Sequence, residues 1–229
     1  MIAMRLKACE LLTTGWCPLN CSYCYIPKTE QMKVLHRRII KDLESGEFIS
    51  RLKAVYGKEL THLGFWGTEP MLTLPILSRK IPEIIQNFPK LTTIGFSTSL
   101  MLDERLLLDF IISLIGRKIV LDIQVSLDGP AFITDKNRME GAAREVPARL
   151  LRIVSMLNGI ELGKLKVKFR FKATHSIENI QLINSDPKKI DAYFTYFHAI
   201  ATRFKKINKN KQVSLAPRAS PTLVVPGKY

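Results

Sequence analysis

Three of the four cysteines lie within Trp16-Cys17-Pro18-Leu19-Asn20-Cys21-Ser22-Tyr23-Cys24-Tyr25, spaced C-x3-C-x2-C. Thiolates at such short intervals in a loop can be brought to one centre, as zinc sites and iron–sulfur clusters both require. A structural zinc site needs a fourth ligand, and none follows at matching spacing, because the histidines stand apart at 36, 62, 175 and 198. Cys9 falls inside an apolar, strand-like stretch and reads as a buried core thiol. Cys17, Cys21 and Cys24 without a fourth partner fit a [4Fe–4S] cluster that leaves one iron open to an exogenous ligand.

Such a loop does chemistry only if regular elements hold it. Apolar residues at helical spacing occur at Ile81, Ile84, Ile85 and Phe88, at Leu107, Phe110, Ile111 and Leu114, and at Leu150, Ile153, Val154 and Leu157. Gly116 and Gly159 follow two of these stripes, where left-handed C-caps are expected. Further helices are expected over Arg37–Tyr56 and Pro187–Ile207. The intervening apolar stretches predict strands at Leu6–Thr14, His62–Trp66, Thr92–Ser97, Ile119–Leu127, Leu165–Ala173 and Val213–Ala216. Strand and helix in alternation imply βαβ units, a parallel sheet and right-handed crossovers. A closed eight-fold barrel takes roughly 250 residues. Six units therefore predict an α/β partial (βα)6 TIM-like barrel on a parallel sheet, as a single domain over residues 1–229.

Two strands alternate apolar with polar residues. Ile119, Leu121, Ile123, Val125 and Leu127 alternate with Asp122, Gln124, Ser126 and Asp128. Val167, Phe169 and Phe171 alternate with Lys166, Lys168, Arg170 and Lys172. With helices outside a barrel, the polar faces line the lumen. Asp122 and Gln124 would then meet Lys166, Lys168 and Arg170 there, and Ser126 and Asp128 would sit at the C-terminal strand end where such sheets place their sites.

At this point the residues resemble a known family. C-x3-C-x-aromatic-C after a first strand is similar to the radical S-adenosylmethionine (SAM) superfamily. The resemblance is nearest to its peptide-modifying and anaerobic sulfatase-maturating members. Gly67-Thr68-Glu69-Pro70 resembles the family's Gly-Gly-Glu-Pro, whose backbone and Glu hold the methionine amino group. Ser126-Leu127-Asp128-Gly129-Pro130 resembles a segment whose Ser and Asp approach SAM. Ile133-Thr134-Asp135-Lys136-Asn137-Arg138 resembles Ile-His-Asp-x-x-Arg, with Arg138 matching the residue that grips the SAM carboxylate. Tyr23 would pack on adenine. Ser97-Thr98-Ser99 stands where the family has Thr-Asn-Gly, and Thr68 replaces the second glycine, so Ser97 and Thr98 carry over as cofactor contacts only by position. The resemblance implies a [4Fe–4S] cluster and SAM as cofactors, and a one-electron reductant of the flavodoxin or ferredoxin type. It implies reductive cleavage of SAM to a 5′-deoxyadenosyl radical that takes hydrogen from a peptide or protein substrate. No cysteine cluster follows Cys24, so the auxiliary-cluster domain of many relatives is not expected. No substrate-specific acid or base is assigned. A cluster- or zinc-binding subunit without turnover, and a nucleic-acid substrate, stay open as alternatives.

Composition bounds the rest. The 229 residues carry 35 Lys and Arg against 20 Asp and Glu, a formal charge of +15, with 46% hydrophobic residues. That balance excludes disordered and fibrous classes, and four cysteines are too few for a disulfide scaffold. The N-terminal residues lack the apolar core of a secretion signal, and no apolar run is long enough to span a membrane, so a cytoplasmic protein with reduced thiols is expected. Acidic residues stop at Asp191, while Arg203, Lys205, Lys206, Lys209, Lys211, Arg218 and Lys228 follow. That basic edge reads as a solvated face, or as a surface for nucleic acid or an acidic protein.

Overall fold

The computed structural model describes residues 7–216 and 220–223. Leu6, Arg218 and Lys228 lie outside them. Strands β1 (Ala8–Thr14), β2 (His62–Gly67), β3 (Thr93–Thr98), β4 (Val120–Ser126), β5 (Lys166–His175) and β6 (Val213–Leu215) form one sheet in chain order. Every pairing in it is parallel. The sheet is not closed, since β1 and β6 are its two ends. The fold is therefore the expected α/β partial barrel on a parallel sheet. One feature differs: a further strand, β7 (Ser220–Leu223), pairs with the second half of β5, so two short strands share the sixth position.

The helices connect successive strands. They are α1 (Glu30–Ser45), α2 (Glu47–Tyr56), α3 (Leu74–Asn87), α4 (Glu104–Ser113), α5 (Ala131–Asn137), α6 (Ala142–Leu157), α7 (Ile177–Asn184) and α8 (Pro187–Ile207). Where one helix over Arg37–Tyr56 was expected, there are two. Thr29 starts α1 early by accepting the Met32 amide, and Gly46, at φ 81°, ends it and opens α2. Gly46 can turn there because it lacks the Cβ that penalises left-handed backbone. Gly116 has the expected positive φ of 77°. Gly159 does not, and right-handed Asn158 caps α6 instead.

Period-two alternation sorts the strand residues. Leu121, Ile123 and Val125 of β4 and Val167, Phe169 and Phe171 of β5 are buried, together with Leu77, Ile81 and Ile84 of α3 and Leu150, Ile153 and Val154 of α6. Fully burying such a side chain stabilises by about 1.5–3 kcal/mol. The intervening residues, Asp122, Gln124, Ser126, Arg170 and Lys172, face a cavity on the inner side of the sheet. Lys166 and Lys168 do not. Both are exposed at the start of β5 and are not among the cavity-lining residues, which corrects their expected place in the lumen. Arg203, Lys205, Lys206, Lys209 and Lys211 are also exposed, and Lys205 and Lys206 occupy the last turn of α8, where positive charge complements the helix dipole.

Candidate active site

The cavity has a volume of about 550 Å³. It reaches from Cys21, Cys24 and Arg138 at the C-terminal strand ends to Glu10, His62 and Thr93 nearer the strand beginnings. Its size lies within the range of small-molecule and cofactor sites.

The cysteine loop follows β1 directly and is tied in at both sides. The Ser22 amide donates to the Asn137 carbonyl at 2.8 Å, and Ser22 Oγ to Asn137 Oδ1 at 3.3 Å, fastening the loop to the end of α5. Trp16 N donates to Thr14 Oγ1 at 3.1 Å, and the Thr68 hydroxyl donates to the Trp16 carbonyl, fastening it to the end of β2. All four cysteines are free thiols. Cys21 and Cys24 line the cavity, whereas Cys17 lies half-buried behind them. Burial pushes the Cys17 thiol up to about 11 and raises that of Cys21, the latter against the opposing charge of Arg138. Among the described residues, no three His, Cys, Asp or Glu side chains converge tightly enough to hold a metal ion. Cys9, on the opposite face of β1 from Glu10, is partly buried against the core.

The strongest polar contacts centre on Asp128. Its fully buried carboxylate takes a bidentate pair from Arg138, with Nε to Oδ2 at 2.8 Å and Nη2 to Oδ1 at 2.8 Å. Tyr23 Oη donates to Oδ2 at 2.7 Å and the Thr174 amide to Oδ1 at 2.8 Å. Four donors fill the acceptor sites that a carboxylate offers. Burial disfavours charge on Arg138, but the adjacent Asp128 outweighs it and raises the guanidinium pKa. Tyr23, raised by burial, stays a neutral donor. The guanidinium carbon lies 5.4 Å from the centre of the Tyr23 ring, so Arg138 covers one face of the ring expected to pack on adenine. Asp128 itself does not reach the cavity. Its place is behind Arg138 and Tyr23, holding both at the wall.

Gly67, Thr68 and Pro70 line the cavity, and Glu69 does not. Glu69 is buried, accepts from the Ser99 amide at 2.8 Å, the Ser99 hydroxyl at 2.5 Å and the Met71 amide at 3.3 Å, and so ties the turn after β2 to the end of β3. Burial raises its pKa, and the Ser99 hydrogen bonds oppose that rise. Ser97 lines the cavity and donates to Gln124 Oε1 at 3.2 Å. Thr98 is buried with its hydroxyl accepting from the Leu100 amide, and Ser126 lines the wall. Ser99, assigned no role from sequence, is thus the main partner of Glu69. Its place in the segment matching Thr-Asn-Gly was the available signal.

Gly67 has φ 142°, a region that favours glycine, and a Cβ there would overlap the Thr14 carbonyl and lie 2.8 Å from Thr14 Cγ2. Gly67→Ala is therefore expected to cost about 1–3 kcal/mol and to separate the ends of β1 and β2. Thermal unfolding measures the cost, and an unchanged midpoint would show that this turn relaxes freely.

Behind the site, His175 is buried with Nε2 at 3.0 Å from Tyr193 Oη and no partner for Nδ1 among the described residues. Burial lowers its pKa, against the charge of Asp128. The unfolded chain then binds more protons than the folded chain below about pH 6.5, so stability is complete above that pH and falls as pH drops through the folded value. His175→Gln should flatten the acid limb of the stability profile in urea titrations between about pH 5 and 7. A profile that keeps its slope would place the titration elsewhere.

No protein-family model and no curated protein sequence matches the chain. Solved structures do. Native anSMEcpe with bound AdoMet and the Kp18Cys peptide matches with a TM-score of 0.53 at 18% identity, over 97% of this chain and 54% of that one. Native anSMEcpe with bound AdoMet matches with 0.55 at 18% identity, over 91% and 51%. Streptococcus suis SuiB bound to precursor peptide SuiA matches with 0.52 at 14% identity, over 93% and 49%. The chain has the fold of anSMEcpe and SuiB. It spans about half the length of each. The described residues include no helix long and apolar enough to cross a membrane.

Proposed function

We propose that the chain is a radical SAM enzyme acting on a peptide or protein substrate. One observation carries the reading: the three-cysteine loop and the Arg138–Tyr23 pair meet at one cavity, in a fold shared with AdoMet-bound anSMEcpe. The donor set fits a cluster by its chemistry, since three free thiols share one short loop and Cys24 is exposed enough to turn toward its neighbours. When bound, a [4Fe–4S] cluster would supply the electron that cleaves AdoMet.

The chain's own residues would do the positioning. Cys17, Cys21 and Cys24 would hold the cluster. Arg138, its charge held at the wall by Asp128, would face the AdoMet carboxylate, while Thr68, Ser97 and Ser126 offer hydroxyls around it. Glu69 would act through Ser99 and the backbone of the turn unless it leaves them to meet the amino group. A flavodoxin- or ferredoxin-type protein would deliver the electron. The peptides bound to anSMEcpe and SuiB support the substrate class.

A second reading is a cluster-binding subunit without turnover. It is favoured by the fact that Glu69 and Arg138, both carried over as AdoMet contacts, are engaged within the chain. Anaerobic reconstitution with iron and sulfide, then dithionite and AdoMet, separates the two. The enzyme reading expects methionine and 5′-deoxyadenosine in equal amounts. A stable cluster with neither product would establish the second reading.

A further inference from the structure

We propose that the inner end of the cavity is a subsite for a cationic side chain of the substrate, a lysine ammonium or an arginine guanidinium, read by Glu10 over a floor made of Gly64 and Gly95. The proposal names the substrate group taken by the same cavity, and it rests on the functional reading above only for calling that group substrate.

The register of the sheet places Glu10, Gly64, Gly95 and Asp122 in one lateral row across β1, β2, β3 and β4. All four line the cavity. The two central positions carry no side chain, and the Glu10 carboxyl group lies over Gly64, so the hollow opens over Gly95, between that carboxylate and Asp122. At roughly 4.8 Å per strand spacing, the Glu10 and Asp122 Cα atoms lie about 14 Å apart.

The floor is shaped for Glu10. A Cβ on Gly64 would collide with all three atoms of the Glu10 carboxyl group, which lies across β2 at that point. A Cβ on Gly95 would stand 3.2 Å from the Asp122 carbonyl oxygen. Any residue larger than glycine at 64 would therefore push the Glu10 carboxylate out of its present position.

Charge pairing singles out Glu10. Arg138 is held by Asp128 through two hydrogen bonds, and Arg170 Nε lies 2.9 Å from Asp122 Oδ1 as an ion pair without hydrogen-bond geometry, so both cations have a carboxylate partner within the chain. Glu10 has neither an ion pair nor a hydrogen bond among the described residues. Lys172, the remaining charged residue of the wall, is also unpaired, at the level of Ser126 rather than of Glu10. Glu10 is exposed within the cavity, and partial burial raises its pKa, so its carboxylate keeps access to water and has no partner within the described residues. A cation placed in the hollow supplies that partner, and a neutral side chain of the same length does not.

The test uses the purified protein and two probes, acetyl-Gly-Lys-Gly-amide and its norleucine counterpart, titrated calorimetrically at low salt. A contact between exposed charges corresponds to roughly a two- to fivefold preference for the lysine probe. Glu10→Gln should remove that preference, and Gly64→Ala should do the same by displacing the carboxylate. Circular dichroism establishes that each variant folds, and if one does not, the other decides. Equal affinity of wild type for the two probes would overturn the subsite, as would a preference that survives both substitutions. AdoMet binding is measured in parallel and should be unaltered by Glu10→Gln. Lysine preference without AdoMet binding would leave the subsite standing and sink the functional reading. AdoMet binding without lysine preference would do the reverse.

Discussion

Alanine at Cys17, Cys21 or Cys24 is expected to abolish iron loading, and alanine at Cys9 to leave it intact. The three loop thiols share one short segment at the cavity, two of them on its wall, and with three donors the loss of one leaves too few to hold a cluster. Cys9 is set apart by the pleat of β1. It is paired across from Leu63, packed on the outer core and close to Tyr56, so its removal costs only a small packing contribution. Iron and sulfide content after anaerobic reconstitution, with the absorption near 400 nm typical of such clusters, gives the readout. Stoichiometric zinc in the purified protein, or loss of iron in Cys9→Ala, would overturn the assignment.

The second large effect concerns the Asp128–Arg138 pair. Both side chains are almost fully buried, with 0% and 7% of their surfaces exposed. Removing either leaves the other as an uncompensated buried charge, a loss of about 3–5 kcal/mol. For a chain of this size each kcal/mol moves the thermal midpoint by about 2–4 °C, so Asp128→Ala or Arg138→Ala should lower it by about 6–20 °C. A midpoint within about 2 °C of wild type would mean that the pair is replaced by water without penalty. The same pair also decides how Arg138 reaches a cofactor. Asp128 takes the Nε hydrogen and one of the two on Nη2, so an AdoMet carboxylate must use the Nη1 hydrogens and the second one on Nη2. Below the unfolding range, Arg138→Ala should weaken AdoMet binding by about ten- to a hundredfold. Asp128→Asn removes the competing charge and should tighten binding, provided that Arg138 contacts AdoMet. Weaker binding in both variants would instead make Arg138 a residue that holds Tyr23 and β5 in place.

Short-range signals were enough for the order of strands and helices. The alternation in Val120–Ser126 and Lys166–His175 and the helical spacing in α3, α4 and α6 each arise within one element, where the sequence period must match the backbone period. The cysteine loop was legible for the same reason, since C-x3-C-x2-C is a spacing within ten residues. The break at Gly46 was missed because α1 and α2 present one continuous apolar pattern, and only the positive φ of that glycine separates them. The split sixth strand was missed because pairing to β5 depends on an edge that the sequence of β6 does not describe.

The destination of each charge depended on the tertiary arrangement. Asp128 was placed from the sequence at a strand end, which is correct, but its acceptors are filled by Arg138, Tyr23 and Thr174, the last two 105 and 46 residues away. Glu69 meets Ser99 across 30 residues and joins two strand ends, a contact that no local spacing describes. Lys168 does not line the cavity, although it alternates in phase with Arg170 and is level with Asp122, and both of those do. Glu10 and Gly64 come together only through the register of β1 against β2. Side-chain type and periodicity decide which face of a strand is polar, whereas curvature and register of the sheet decide which polar groups then meet.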